Sequence, residues 1–365
     1  MTGLLPEGFH DRLPPQADAA DALEHHVLRT ARAYGYERVD PPLAEFAEAL
    51  GSRLKAGGME QAVRFVDPVS QRTLAIRPDI TAQIGRIAAT RMAHHPRPVR
   101  LSYAGPVLKL RASELRPERA MRQLGAELIG LDSVAAATEI VRVAVEALQA
   151  AGIEGIAIDF TLPDLVDTLA GDALAPEALA RLRERLDGKD AAGVAEIDAR
   201  YLPLIAAAGP FNAALERLRG IDAGNALASR IDGLAAIAAS VEGDVALTLD
   251  PTERHGFEYQ SWLGFSIFAR GVRGEIGRGG TYMVMHETGA EEPAVGFSLY
   301  ADPVLDAGLG TRTRRRLFLP YGTDPERGRA LRAEGWVTVA ALTAEDTPEA
   351  QLCSHLLGDE GPEAV

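Results

Sequence analysis

The chain of 365 residues carries one cysteine, Cys353. A single thiol excludes an intrachain disulfide framework and any cysteine-based zinc site; separately, no metal and no cofactor is expected. No apolar run approaches bilayer-spanning length, and the N-terminal MTGLLPEGFHDRLPPQAD lacks the positive and apolar regions of a signal peptide. The expectation is a cytoplasmic protein with no membrane partner. Excess positive charge is missing too: 38 Lys and Arg stand against 52 Asp and Glu, a formal charge of −14. Phosphate backbones are held by clustered cations, so this balance argues against a nucleic-acid partner. The one basic cluster, Arg312, Arg314, Arg315 and Arg316, reads either as a solvated linker or as an anion site. No fixed-period repeat is present.

What is there is a composition of ordinary soluble proteins, 47% hydrophobic and 25% charged, on a length that suits one large core and a smaller domain. Ala20, Leu23, Val27 and Ala31 recur at helical spacing and predict an amphipathic helix over 16–34 that ends at Gly35. The GYERVDPPLAE that follows is a short extended run broken by Pro41 and Pro42. Val99 to Leu110 and Arg119 to Ile129 are β-type runs around a polar turn with Ser113, Glu114 and Pro117, which predicts a long antiparallel hairpin. RTLAI at 72–76 reads as a strand, Ser133 to Ala151 as a helix and GIAIDFTL as a strand. From about 163 to 240 the pattern is helical, and then strands return as VALTLDP, GFEYQSWLGFSIFAR, RGEIGRGGTYMVM and AVGFSLY. Strands, then helices, then strands fit an α+β fold with an antiparallel sheet resumed after a helical insertion. The tail offers a strand at Arg316 to Tyr321, a helix at Pro325 to Glu334 and a strand at Trp336 to Leu342.

Several polar residues fall at telling positions. Asp79 and Thr81 precede the helical TAQIGRIAATR, where Asp and Thr are preferred caps, and capping is compatible with ligand binding. Gln123 and Glu127 are four apart, so on a strand they share one face, either exposed or turned into a pocket. His255 has no neighbours that would make a catalytic triad. RGEIGRGGTYMV is no phosphate loop, because a strand rather than a helix follows it; its glycines suit close approach of backbone to a ligand or another strand.

Residues 98–130, PVRLSYAGPVLKLRASELRPERAMRQLGAELIG, taken with GYERVDPPLAE, RPDIT, HGFEYQ, RGGTYM and AVGFSLYADP in that order, resemble the class II aminoacyl-tRNA synthetases, specifically the histidyl enzyme, over roughly residues 4–304. The resemblance implies a synthetase-like core over 1–304, with the helical insertion at about 163–240, and a linker with a short βαβ-like segment over 305–365. It further implies a homodimer built around Gly35 to Leu43. Asp79, Thr81, Gln123, Glu127, His255 and Tyr259 fall on the family's histidine-gripping positions, with Glu127 pairing the imidazole and Asp79 the amino group; His255 stands where the family has arginine. The ATP-handling positions have changed character: Lys109, Arg111 and Met121 on the hairpin, Tyr300 for a glycine, and Pro303 for the arginine that clamps ATP. Losing one preorganised donor typically costs about 10²–10³-fold in rate, and several are lost together. No catalytic residue is therefore assigned. After Pro303 the chain is too short for the anticodon-binding domain, so no tRNA partner is expected.

A histidyl-synthetase fold with an amino-acid pocket and without ATP chemistry resembles the family of ATP phosphoribosyltransferase regulatory subunits. That implies a short-form ATP phosphoribosyltransferase catalytic subunit as partner in a hetero-oligomer, L-histidine as effector, and a role in the first step of histidine biosynthesis. The alternatives are a divergent histidyl-tRNA synthetase and a stand-alone amino-acid-binding protein.

Overall fold

The computed structural model describes residues 5–51, 58–111, 117–222, 224–243, 245–254, 256, 259–286, 288–311 and 314–365. The chain divides into two compact units, Met1–Gly310 and Thr311–Val365. Helix α1 (Gln16–Ala33) buries Ala20, Leu23, Val27 and Ala31, the stripe that its spacing predicts, and leads to the two-residue strand β1 (Glu37–Arg38). Strands β2 (Ala44–Phe46), β3 (Val63–Val66) and β4 (Thr73–Ile76), with α2 (Ala47–Gly51) between the first two, form a small sheet in the order β2-β4-β3. Helix α3 (Thr81–Ala89) follows. The hairpin of β5 (Val99–Leu108) and β6 (Ala120–Ile129) is antiparallel from Val99↔Ile129 to Leu108↔Ala120. The turn residues Ser113 and Glu114 lie outside the described residues. Helix α4 (Val134–Ala150) starts where Ser133 accepts the Ala136 N–H at 3.1 Å, satisfying one of the donors a helix leaves open at its start.

After β7 (Ala157–Thr161) come α5 (Leu165–Ala170), α6 (Pro176–Asp187), α7 (Ala191–Asp198), a 3₁₀ turn over Ala199–Ala207, the short β8 (Gly209–Pro210), α8 (Phe211–Ile221) and α9 (Ala228–Ala239). Strands β9 (Ala246–Leu249), β10 (Gln260–Phe268), β11 (Gly277–Met285) and β12 (Glu291–Tyr300) and the helix α10 (Ala301–Asp306) complete the unit. Its nine-stranded sheet runs β1-β5-β6-β12-β11-β10-β7-β9-β8. The expectation of an antiparallel sheet holds in the centre and fails towards the ends, where β1 pairs parallel with β5 and β7 parallel with β9. A parallel pair needs a long crossover, and α5 to α9 supply one between β7 and β9. The fold is α+β, a mixed sheet flanked by helices.

Each face of the sheet is covered by different helices, so its strands are apolar on both sides. One face packs with α1, α4 and the helices between β7 and β9 in a large core that includes Val27, Leu124, Ile140, Phe160 and Phe265. The other packs under α3, where Ile80, Ile84 and Ala88 meet Leu101, Tyr103, Met121, Val284 and Tyr300. No helix among the described residues is long and apolar enough to cross a membrane.

The second unit has β13 (Arg316–Leu319), α11 (Pro325–Ala333), β14 (Val337–Ala340), β15 (His355–Leu357) and β16 (Pro362–Ala364), in sheet order β14-β13-β15-β16. The first three were legible; β15 and β16 add two strands that the sequence reading lacks. Arg312 lies outside the described residues, and Arg316 belongs to β13 rather than to a solvated linker, its guanidinium donating to the Gln351 carbonyl at 3.0 Å.

Candidate functional site

Strand alternation sets Met121, Gln123, Gly125, Glu127 and Ile129 of β6 on the face under α3. Gln123 and Glu127 are 0% and 1% exposed, so they do not lie on an exposed strand face. Between them Gly125 leaves a space that its cross-strand neighbours fill, Tyr103 from β5 and Ser298 from β12, each paired directly with it. A Cβ on Gly125 would collide with the Tyr103 hydroxyl. Tyr103 donates to Glu127 Oε1 at 3.0 Å and lies 2.9 Å from Ser298 Oγ. Gln123 Oε1 accepts the Ile80 N–H at 2.9 Å, which fixes the amide so that Nε2 donates to Ser298 Oγ at 2.8 Å and to Asp79 Oδ2 at 3.3 Å.

At the start of α3, Asp79 engages the helix backbone. Its Oδ1 accepts the Thr81 N–H at 2.7 Å while Oδ2 faces Gln123. Thr81 caps nothing; its hydroxyl reaches Tyr103 Oη at 3.2 Å and Ser298 Oγ at 3.4 Å, and Ile80 holds the cap position without a side-chain bond. From β11, Tyr282 donates to Glu127 Oε2 at 2.8 Å. The Glu127 carboxylate lies so close to Gly296 of β12 that any side chain there would overlap it. Tyr259 meets the Tyr282 ring edge to face at 6.4 Å.

Five sequence-derived candidates, Asp79, Thr81, Gln123, Glu127 and Tyr259, thus belong to one polar cluster. His255, the sixth, lies outside the described residues. Arg254 beside it does not substitute, since its backbone N–H donates to Asp187 and its guanidinium is 3.9 Å from Asp167 of α5. Tyr103, Ser298, Tyr282 and Gln260 are members that the sequence reading did not assign to the site. All four lie within the motifs quoted above, but their place in the site depends on which residues lie opposite Gly125 and beside Tyr259.

The electrostatics keep the phenols as donors. Burial first, then the charges of Glu127 and Asp79, raise Tyr103 well above its ordinary value, and burial and Glu127 do the same for Tyr282. Arg278 of β11 is raised as well: burial alone would lower it, but hydrogen bonds to Glu275 at 2.6 and 2.9 Å outweigh that. The Ser298 hydroxyl is bonded to Tyr103, Gln123 and Thr81, none of them a base near neutral pH, so nothing there activates it as a nucleophile. Two carboxylates among neutral donors suit a small ligand bearing an ammonium or N–H group. Among the described residues no group of three His, Cys, Asp or Glu could hold a metal ion.

The positions matched to ATP handling are built differently. Met121 and Tyr300, 4% and 7% exposed, pack in the same apolar cluster, and Lys109 and Arg111 are half-buried and exposed respectively. Pro303 lies in α10 beside Asp302, which accepts the Arg122 N–H at 2.8 Å and pairs with Arg12 at 2.6 Å. The glycines of β11 serve strand approach, for a Cβ on Gly279 would strike Phe265 and the Gly296 carbonyl.

A family model described as histidyl-tRNA synthetase matches residues 8–304. An ATP phosphoribosyltransferase regulatory subunit of Rhodospirillum centenum is 44% identical, the match covering 97% of this chain and 94% of that protein. The one of Paramagnetospirillum magneticum is 42% identical over 98% of this chain and 97% of its own length. Among solved structures, an ATP phosphoribosyltransferase regulatory subunit/histidyl-tRNA synthetase from Bacillus halodurans superposes with a TM-score of 0.80 at 23% identity, covering 96% of both chains. With similarity at this level along nearly its whole length, the chain belongs to the family of ATP phosphoribosyltransferase regulatory subunits, which here stands on the histidyl-tRNA synthetase fold.

Proposed function

We propose that the chain binds the short catalytic subunit of ATP phosphoribosyltransferase, raises its activity in the first step of L-histidine biosynthesis, and senses histidine at the Asp79, Gln123 and Glu127 cluster without catalysis of its own. The observation that carries this reading is the contrast between the two halves of the synthetase-like site. The amino-acid half keeps a hydrogen-bonded cluster around Gln123 and Glu127, whereas at the ATP half Met121 and Tyr300 pack on apolar neighbours and Pro303 has no donor to offer a phosphate. Such a site favours binding an amino acid over activating it.

A homodimer is part of the same reading. The outer strand β1 and helix α1 border a groove of about 780 Å³ lined by Asp21, Glu24, Leu28, Arg32, Tyr36 and Arg38, next to the Gly35–Leu43 region expected at a two-fold interface. The test is size-exclusion with mass measurement of the chain alone and mixed with the short catalytic subunit, alongside a histidine-dependent pyrophosphate exchange assay. A dimer that joins the catalytic subunit and exchanges no pyrophosphate is expected. Exchange that scales with protein and vanishes in Glu127→Ala would make the chain a synthetase instead.

A further inference from the structure

Residues 250–254 follow β9 and lead the chain towards Gly256 and Tyr259, and they are pinned to neighbouring elements. On β7, the Phe160 carbonyl accepts the Asp250 N–H at 2.9 Å, and the Thr161 hydroxyl donates to the Glu253 carbonyl at 2.5 Å. Just past α6, Lys189 Nζ donates to Asp250 Oδ1 and Thr252 Oγ1, each at 2.6 Å. Lys189 does so from a left-handed backbone, φ +55°, uncommon for a residue with a side chain. Asp187, which ends α6, accepts the Arg254 N–H at 2.7 Å, and Arg278 of β11 donates to the Gly256 carbonyl at 3.2 Å. Acids crowd this anchor. The Glu253 carboxyl meets the charges of Asp159 on β7, Asp250 on its own segment and Asp187 on α6. Of the cations, Lys189 is engaged by Asp250, Arg278 by Glu275 at 2.6 and 2.9 Å, and the Arg254 guanidinium lies 3.9 Å from Asp167.

We propose that Glu253 is a proton-operated anchor of the amino-acid site. Protonated, it leaves residues 250–254 pinned to β7 and the end of α6. Ionised, it sets a fourth negative charge among Asp159, Asp187 and Asp250, so the segment leading to Tyr259 works loose and the grip on the amino acid weakens. The link to a ligand rests on the amino-acid-site reading above. Burial first, then Asp159, Asp250 and Asp187, push Glu253 up to about 7 against the pull of Arg278, whereas a carboxyl released into water titrates near 4.5. The pinned form thus holds the extra proton. Each pH unit above 7 disfavours it by up to about tenfold, and below about 4.5 this group has no influence.

Two readouts on the full-length chain, wild type and Glu253→Gln, test this. The first is calorimetric titration with L-histidine at pH 6.5, 7.5 and 8.5, where comparing the two proteins cancels the titration of the ligand itself. Wild type should lose about fivefold more affinity across that range than the variant. The second is the rate at which trypsin cuts after Arg254, which follows the population of the loosened segment. At pH 8.5 wild type should be cut about threefold faster than the variant, and at pH 6.5 the two should be cut alike. Asp159→Asn, which removes the carboxylate that repels Glu253 most, carries the same expectations should the glutamine variant fail to fold. Parallel affinity profiles overturn the link between Glu253 and the site, and equal cleavage at pH 8.5 overturns the anchor. Absence of histidine binding at every pH, with the cleavage contrast intact, overturns the amino-acid site and leaves the anchor standing.

Discussion

Glu127 accepts a phenol on each carboxylate oxygen, from Tyr103 and from Tyr282, in the interior of the sheet. Glu127→Ala should therefore do two things. It takes the acceptor from the buried Tyr282 hydroxyl, whereas Tyr103 keeps Ser298 and Thr81, so urea denaturation should report a loss of roughly 1–3 kcal/mol. It should also abolish histidine inhibition in the complex. Gln123→Ala is expected to weaken histidine binding by tenfold or so, since the amide bridges Ile80, Ser298 and Asp79. Inhibition unchanged in both variants would place the histidine site elsewhere. A different residue governs pH. Glu253 is pushed up to about 7, by burial first and then by the nearby charges of Asp159, Asp250 and Asp187. The folded state thus holds a proton that the unfolded chain releases near the ordinary carboxylate value. Its contribution is fully present below about 4.5 and is lost as pH rises through 7. Denaturation midpoints between pH 5 and 8 should fall in the wild type and fall less in Glu253→Gln. At this scale Gln123 and Glu127 were singled out by the resemblance, and their spacing put them on one strand face. The sequence could not show Tyr103 or Ser298, because their place in the site comes from register across three strands.

Among the elements, the local ones were the most legible. Helix α1, the β5–β6 hairpin and α4 follow from apolar spacing and from a Ser133 cap within a few residues of chain. The parallel partners of β1 and β7 were not legible, since β1 meets β5 across about 60 residues and β7 meets β9 across five helices, and no short-range pattern encodes that choice. Close packing between elements gives a sharp contrast between two glycines. Gly296→Ala in β12 drives a methyl into the Glu127 carboxylate and the Ala126 carbonyl and should destabilise by about 2–3 kcal/mol, as overpacking does. Gly220→Ala near the end of α8 meets nothing within 4 Å and should be neutral or stabilising by about 0.5–1 kcal/mol. Equal effects in a denaturant titration would contradict the assigned packing of β6 against β12.

For the whole molecule, the motifs in order revealed the synthetase-like unit, while the partner and the effector came only through resemblance, because no residue pattern names a second chain. The proposed role rests on Met121 and Tyr300 packed together and on the hydrogen-bonded cluster around Gln123 and Glu127. Regulation requires that histidine prefer one state of the complex over the other. The most direct measurement is the rate of phosphoribosyl transfer to ATP by the short catalytic subunit, followed as this chain is titrated in, with and without L-histidine. The rate should climb from a low basal value, saturate at a fixed ratio of the two chains, and fall when histidine is added. A rate that stays at its basal value at every ratio, with histidine or without, would contradict the account.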